Sequence, residues 1–185
     1  MLKMENSIIQ FNSDISKDNA EIRLALYSNI GFLIEVAQML EYNLRKLLCY
    51  HLSVTKIEQS DFTKENVLSI CNEYDELYFK TYSDKWTLGK LKDEIAKTGL
   101  LKTEIIDLFK EINDYRVLIV HKLFQNNIIC KKLENADYVA DYTEKRLIPM
   151  TNKAIVCNDL IIKIMNEYKL DLHNYKKQLG IPFEE

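Results

Sequence analysis

The chain has 185 residues, with 25 Lys and Arg against 28 Asp and Glu, a formal charge of −3 and a sequence pI near 5.7. This length suffices for one domain with a sizeable core. The acidic balance excludes a protein that coats nucleic acid non-specifically, so any RNA contact must use a local patch. Only 4 Gly and 2 Pro are present, which argues for long helices and few turns.

Residues 1–17 are mixed and polar and read as a loosely attached start. From about Asp18, Ile22, Leu26, Ile30, Leu33, Ala37, Leu40, Leu44 and Leu47 recur at three- and four-residue steps, the period of a helix with one buried face. Asp18 or Ser16 is its candidate cap, and its end is expected near His51 and Leu52. Glu35, Gln38, Glu41 and Arg45 lie on the opposite side and read as a solvated or partner-facing stripe, with Glu41 and Arg45 in the favourable i,i+4 order. A second helix is expected from Thr63 to Tyr82, capped by Asp61 or Thr63 and stapled by Phe62, with Val67, Ile70, Cys71, Tyr74, Leu77 and Tyr78 as its apolar stripe. A third, shorter helix starts at Thr87 and stops before Gly99, burying Leu88, Leu91 and Ile95.

The fourth helix, from about Thr103 to Gln125, holds Ile105, Leu108, Ile112, Tyr115, Ile119 and Leu123 on one stripe. Within it four consecutive apolar residues, Val117 to Val120, separate Arg116 from His121. A helix apolar on most sides is normally buried, and arginine is almost never buried without a partner. Arg116 and His121 are therefore candidates for a functional site. The plainer alternative is an arginine paired with a carboxylate and a histidine bonded to a backbone carbonyl. Five residues of straight α-helix turn the chain by about 140°, so the two side chains do not stack. They serve one site if the helix distorts between them, or if two copies of the helix meet about a two-fold axis. Asn113, one turn before Arg116, is a candidate to orient it. Lys122, Lys131 and Lys132 are candidate phosphate guides or plain solvated lysines. Glu41 can neutralise Arg116 or pair with Arg45.

Asn126-Asn127 suggests a break, and Ile128 to Cys130 a short extended stretch. The last region, Asn135 to Leu179, reads as helix, with Pro149 expected to kink or split it. Ala154, Val156, Leu160, Ile161, Ile164 and Met165 are its core candidates, and Gly180-Ile181-Pro182 ends it. His51 and His173 read as surface or helix-end histidines, and the 11 tyrosines as packing residues with a polar tip. Cys49, Cys71, Cys130 and Cys157 lack zinc-site spacing and read as buried free thiols. No metal-ligand pattern and no glycine-rich phosphate loop is visible, so no cofactor is expected. With no signal-peptide pattern and no run of about 18 apolar residues, the expected setting is a reduced cytoplasm with no membrane association. The whole reads as one all-α domain, residues 1–185, an antiparallel bundle of four to five helices.

The stretch around Arg116 resembles the signature of the HEPN superfamily (higher eukaryotes and prokaryotes nucleotide-binding domains). That signature is an arginine, four to six residues, then a histidine, on the third main helix of an α-bundle, and Arg116-x4-His121 fits the shortest spacing. Trp86-Thr87-Leu88-Gly89-Lys90-Leu91 looks like the T-L-G-x-L element of several bacterial members, and Ile30 to Glu41 looks like their first core helix. Phe124 also suits the pattern, and the likeness covers roughly residues 20–125. The resemblance implies a HEPN-like fold and a homodimer joined through the helix carrying Arg116 and His121. It implies a metal-independent endoribonuclease of the toxin or phage-defence type that leaves 2′,3′-cyclic phosphate and 5′-hydroxyl ends. Arg116 and His121 would be catalytic, Asn113 and Lys122 would contact substrate, RNA would be the partner, and a toxin role would add an antitoxin protein. Val117 stands where many active members carry Asn, Asp or His, so the alternative is a catalytically inactive HEPN-like module. Such a module would bind RNA or nucleotide, or act as a dimeric scaffold. Leu123 stands where toxins paired with a small nucleotidyltransferase carry Tyr, which argues against that pairing.

Overall fold

The structure is a computed structural model that describes residues 17–123 and 135–182. The described residues form helices α1 (Lys17–Glu58), α2 (Lys64–Ser83), α3 (Leu88–Thr98) and α4 (Thr103–Val117), which continues into a π turn at Leu118–Lys122. After residue 134 come α5 (Ala136–Tyr142), a second π turn (Thr143–Leu147) and α6 (Ile148–Gln178), again without interruption. The protein is all-α, and no strand occurs among the described residues.

The caps explain most of the boundaries. Thr63 precedes α2 with an extended backbone and accepts a hydrogen bond from the Asn66 amide at 3.2 Å, one of the four amides a helix start leaves unpaired. Asn135 does the same for α5, accepting from the Tyr138 amide at 3.0 Å. Gly99 closes α3 in the left-handed region at φ 68°, where glycine carries no steric penalty. The Phe62 ring, just before α2, makes an edge contact with Tyr175, centroids 5.7 Å apart.

Two expected boundaries move. α1 does not end near His51: Val54 and Ile57 are buried and extend the stripe to Glu58. α6 is not split at Pro149, its second residue. The irregularity lies just upstream, where the Ile148 amide reaches back five residues to the Thr143 carbonyl. The wider turn absorbs the bond that proline cannot make. Thr143 and Thr151 flank it by donating to the Val139 and Leu147 carbonyls four residues back, at 2.8 and 2.9 Å. Residues 124–134, with Phe124, Cys130, Lys131, Lys132 and the break at Asn126-Asn127, lie outside the described residues. So do residues 1–16, including Ser16.

The chain divides into two compact units, residues 1–35 with 115–152, and residues 36–114 with 153–185. α1, α4 and α6 each contribute to both. In the first unit Leu26, Leu33, Ile119, Leu123, Val139 and Leu147 are almost fully buried. In the second unit α1 and α2 run antiparallel, with Tyr50 stacked on Tyr74 at 5.2 Å and Arg45 over the Tyr82 ring. α1 and α6 run in the same direction there: Asn43 bonds Asn158, His51 meets Tyr168, and Tyr175 bonds Glu58. The first and fifth rods of an alternating bundle point the same way.

Not every expected core residue is inside. Val156 is 67% exposed and Leu160 37%, while Ala154, Cys157, Asn158 and Ile161 take the buried face of α6. Phe109 on α4, absent from the expected stripe, is wholly buried. Cys49, Cys71 and Cys157 are buried free thiols as expected. Burial pushes the Cys49 and Cys157 thiols up to about 12.

Candidate functional site

The first unit carries Arg116, His121 and Lys122 on one continuous stretch of helix. α4 ends at Val117, one residue after Arg116, and the π turn spans Leu118–Lys122. Its defining bond runs from the Leu123 amide to the Leu118 carbonyl, five residues back, at 2.8 Å. Each residue of such a turn rotates the chain by less than the about 100° of an α-helix. The offset of about 140° expected on a straight helix is therefore reduced, and His121 swings back toward the side of Arg116. The helix does distort between the two residues, one of the two conditions under which they serve a single site. Single π turns inside α-helices occur frequently at functional sites.

Burial divides the segment cleanly. Ile119 and Leu123 are 1% exposed and anchor the turn in the core of the first unit. Arg116 and Val117 are half-buried, and Val120, His121 and Lys122 are exposed. Arg116, with its planar fork of donors, is suited to a phosphate or carboxylate held bidentately.

Beside this segment is a pair that sequence reading did not single out. The Tyr115 hydroxyl donates to the Tyr142 hydroxyl at 3.1 Å. Tyr115 precedes Arg116, and Tyr142 immediately precedes the second π turn, so one hydrogen bond ties the approaches to both turns. Burial, then the bond to Tyr142, pushes the Tyr115 hydroxyl well above its ordinary value, while Arg146 works the other way. Burial likewise raises Tyr142, with the hydrogen bond from Tyr115 and then Arg146 opposing it. The four-residue steps from Tyr138 through Tyr142 to Arg146 were the available signal.

The remaining expected residues belong to the second unit. Asn113 is half-buried on α4, and its side-chain nitrogen lies 3.6 Å from where a Cβ on Gly89 would sit. Arg45 is 5% exposed rather than solvated. Its Nη2 donates to Glu41 at 3.2 Å and to the Trp86 carbonyl at 2.7 Å, and its guanidinium lies 4.3 Å from the Tyr82 ring centroid. The second oxygen of Glu41 accepts the Leu88 amide at 3.1 Å. Glu41 therefore pairs with Arg45 and caps the start of α3. Thr87 stands at the N-cap position, but its side chain makes no capping bond. The Trp86–Leu91 element thus has a structural role in this chain: it is where α1 grips the beginning of α3.

Among the described residues no group of three or more His, Cys, Asp or Glu is placed to hold a metal ion. No helix among them is long and apolar enough to cross a membrane. Compared with known proteins, the chain matches no family model, no curated protein and no solved structure.

Proposed function

We propose that the protein is a HEPN-like, metal-independent endoribonuclease of the toxin or phage-defence type, acting as a homodimer. The observation that carries this reading is the π turn between Arg116 and His121, which turns an otherwise divergent pair toward one side. The chemistry suits both groups. A ribose 2′-hydroxyl must lose a proton to attack the adjacent phosphorus, and the departing 5′-oxygen must gain one. Histidine is the side chain whose ordinary pKa lies nearest neutrality, so an exposed His121 can take either part. Arg116 grips the phosphate oxygens and offsets the charge that builds in the transition state. Two protomers meeting at this helix supply one His121 as base and the other as acid. Val120, 46% exposed beside His121, and Ile148, 37% exposed, are apolar side chains that a second copy would cover. Lys122 guides the strand. RNA is the substrate, and a toxin role brings in an antitoxin protein.

A second reading is favoured by Val117, a half-buried apolar residue directly after Arg116. It is a catalytically inactive module that binds RNA or nucleotide through the same residues, or a dimeric scaffold. Single-turnover cleavage of a structured RNA in EDTA separates the two. The ribonuclease reading expects cleavage by the native protein with 2′,3′-cyclic phosphate ends, and a loss of about a hundredfold or more in His121→Ala and Arg116→Ala. Equal cleavage by the native protein and both variants would refute it. RNA binding without cleavage would establish the module.

A further inference from the structure

All three cation–aromatic pairs among the described residues lie on the second unit, where α1, α2 and the start of α3 meet. Lys46 Nζ stands 4.5 Å from the centre of the Tyr42 ring, Lys90 Nζ 4.2 Å from that of Trp86, and the Arg45 guanidinium 4.3 Å from that of Tyr82. Such pairs occur roughly once per 70–80 residues, so their number is ordinary, and it is their gathering in one place that is not. The pairs join up. Tyr82 shares a hydroxyl–hydroxyl bond with Tyr78 at 3.3 Å. Tyr78 lies close enough to Tyr42 for each to act on the other's hydroxyl, and Arg45 bonds the Trp86 carbonyl. Phe79 meets the Tyr78 ring at 6.2 Å and is itself 70% exposed.

The three cations differ in what they do. Arg45 is buried and held by Glu41 and the Trp86 carbonyl, so it belongs to the fold, while the Tyr82 ring over it is 45% exposed. Lys90 is exposed and Lys46 half-buried, and neither has a carboxylate partner among the described residues. Acids close to them in sequence are engaged elsewhere: Glu41 by Arg45 and the Leu88 amide, Asp93 by Lys92, and Glu94 by Lys97. Two ammonium groups outside any ion pair thus stand beside exposed aromatic rings. That combination narrows the partner. Nucleobases stack on such rings and phosphates meet the cations, whatever the sequence, because every base has a flat face. A duplex hides its base faces, and an acidic peptide would use the lysines without the rings.

We propose that this surface of the second unit binds single-stranded nucleic acid, with bases stacked on Phe79 and Tyr82 and phosphates on Lys46 and Lys90. It is a local patch of the kind that an acidic chain needs for such a partner. The inference concerns the second unit alone and stands whether or not Arg116 and His121 cleave RNA.

Trp86 is the sole tryptophan and carries Lys90 over its ring, so its fluorescence reports on this surface. The test titrates the full chain with an oligodeoxythymidylate of about ten nucleotides, a length within the range of single-strand sites. Lacking 2′-hydroxyls, that strand is untouched by the chemistry proposed for RNA. The Trp86 emission should change saturably, with an affinity at least about tenfold above that of a duplex or a polyglutamate peptide of the same length. Phe79→Ala, at an exposed position, should weaken binding by about tenfold, and Phe79→Tyr, which keeps a ring there, should retain it. Lys46→Ala and Lys90→Ala should each flatten the slope of log affinity against log salt by about 0.7. An emission that the strand does not move, equal binding of duplex or polyglutamate, or undiminished binding by Phe79→Ala would overturn the proposal.

Discussion

The two units use their polar side chains in opposite ways. In the second unit Glu41, Arg45, Asn43 and Asn158 turn inward and tie helices to one another: Asn43 bonds Asn158 at 2.8 Å, and Arg45 joins α1 to the Trp86 carbonyl. In the first unit the helix is opened instead, twice, and the opening at Leu118–Lys122 carries exposed His121 and Lys122. A charge that satisfies three partners, as Arg45 does, stabilises a fold. The sequence sets Arg45 on a polar stripe and Arg116 in an apolar stretch, yet Arg45 is the one that is 5% exposed, while Arg116 is half-buried.

Substitutions make this contrast measurable. The largest effect is expected at Arg45→Ala, which leaves the Trp86 carbonyl and Glu41 without their cation. Breaking such a pair should cost about 3 kcal/mol, read from urea denaturation, whereas Arg146→Ala, on the surface of the first unit, should stay within about 0.5 kcal/mol. A loss at Arg45 below that of Arg146 would remove the distinction between the units. The Tyr115–Tyr142 bond is a neutral pair, so Tyr115→Phe should cost about 1 kcal/mol, measured the same way.

His51 makes stability depend on pH with a definite sign. Its folded pKa is depressed, so between that value and 6.5 the unfolded chain binds the extra proton. Its contribution is therefore complete above 6.5 and is lost as pH falls toward the folded pKa. His51→Phe should flatten the slope of unfolding free energy against pH in that window, and an unchanged slope would show that His51 is not held neutral. The smallest effect is expected at Gly89→Ala. The added Cβ meets nothing closer than Asn113 at 3.6 Å, so the gain in helix propensity should stabilise the protein by about 0.5 kcal/mol. A loss there would mean that the contact between α3 and α4 is tighter than its geometry indicates.

How far the sequence revealed this depends on the kind of signal. α3 was legible to the residue, because Leu88, Leu91 and Ile95 keep period while Thr87 and Gly99 mark its ends. The end of α1 was not, because polar His51 and exposed Leu52 interrupt the stripe just before Val54 and Ile57 resume it. Val156 and Leu160 looked like core because they are large and apolar, yet they share a face with solvent while Cys157 takes the interior. Arg116 and His121 stand out in the sequence because a charged residue and a histidine interrupt an apolar helix. The backbone between them was not legible: Ile119 and Leu123 keep the four-residue step of an α-helix, so nothing in the pattern marks the i→i+5 bond. The clamp between Arg45, Glu41 and the start of α3 joins residues over 40 apart and is invisible to any local pattern.

The central claim is that Arg116 and His121 address one phosphate. It is tested most directly by following the His121 imidazole resonances while a 2′-O-methyl oligonucleotide, which cannot be cleaved, is added to the native protein and to Arg116→Ala. The account predicts a saturable shift at His121 in the native protein and an affinity at least about tenfold weaker in the variant. A His121 signal that the oligonucleotide does not move, or moves equally in both proteins, would contradict it.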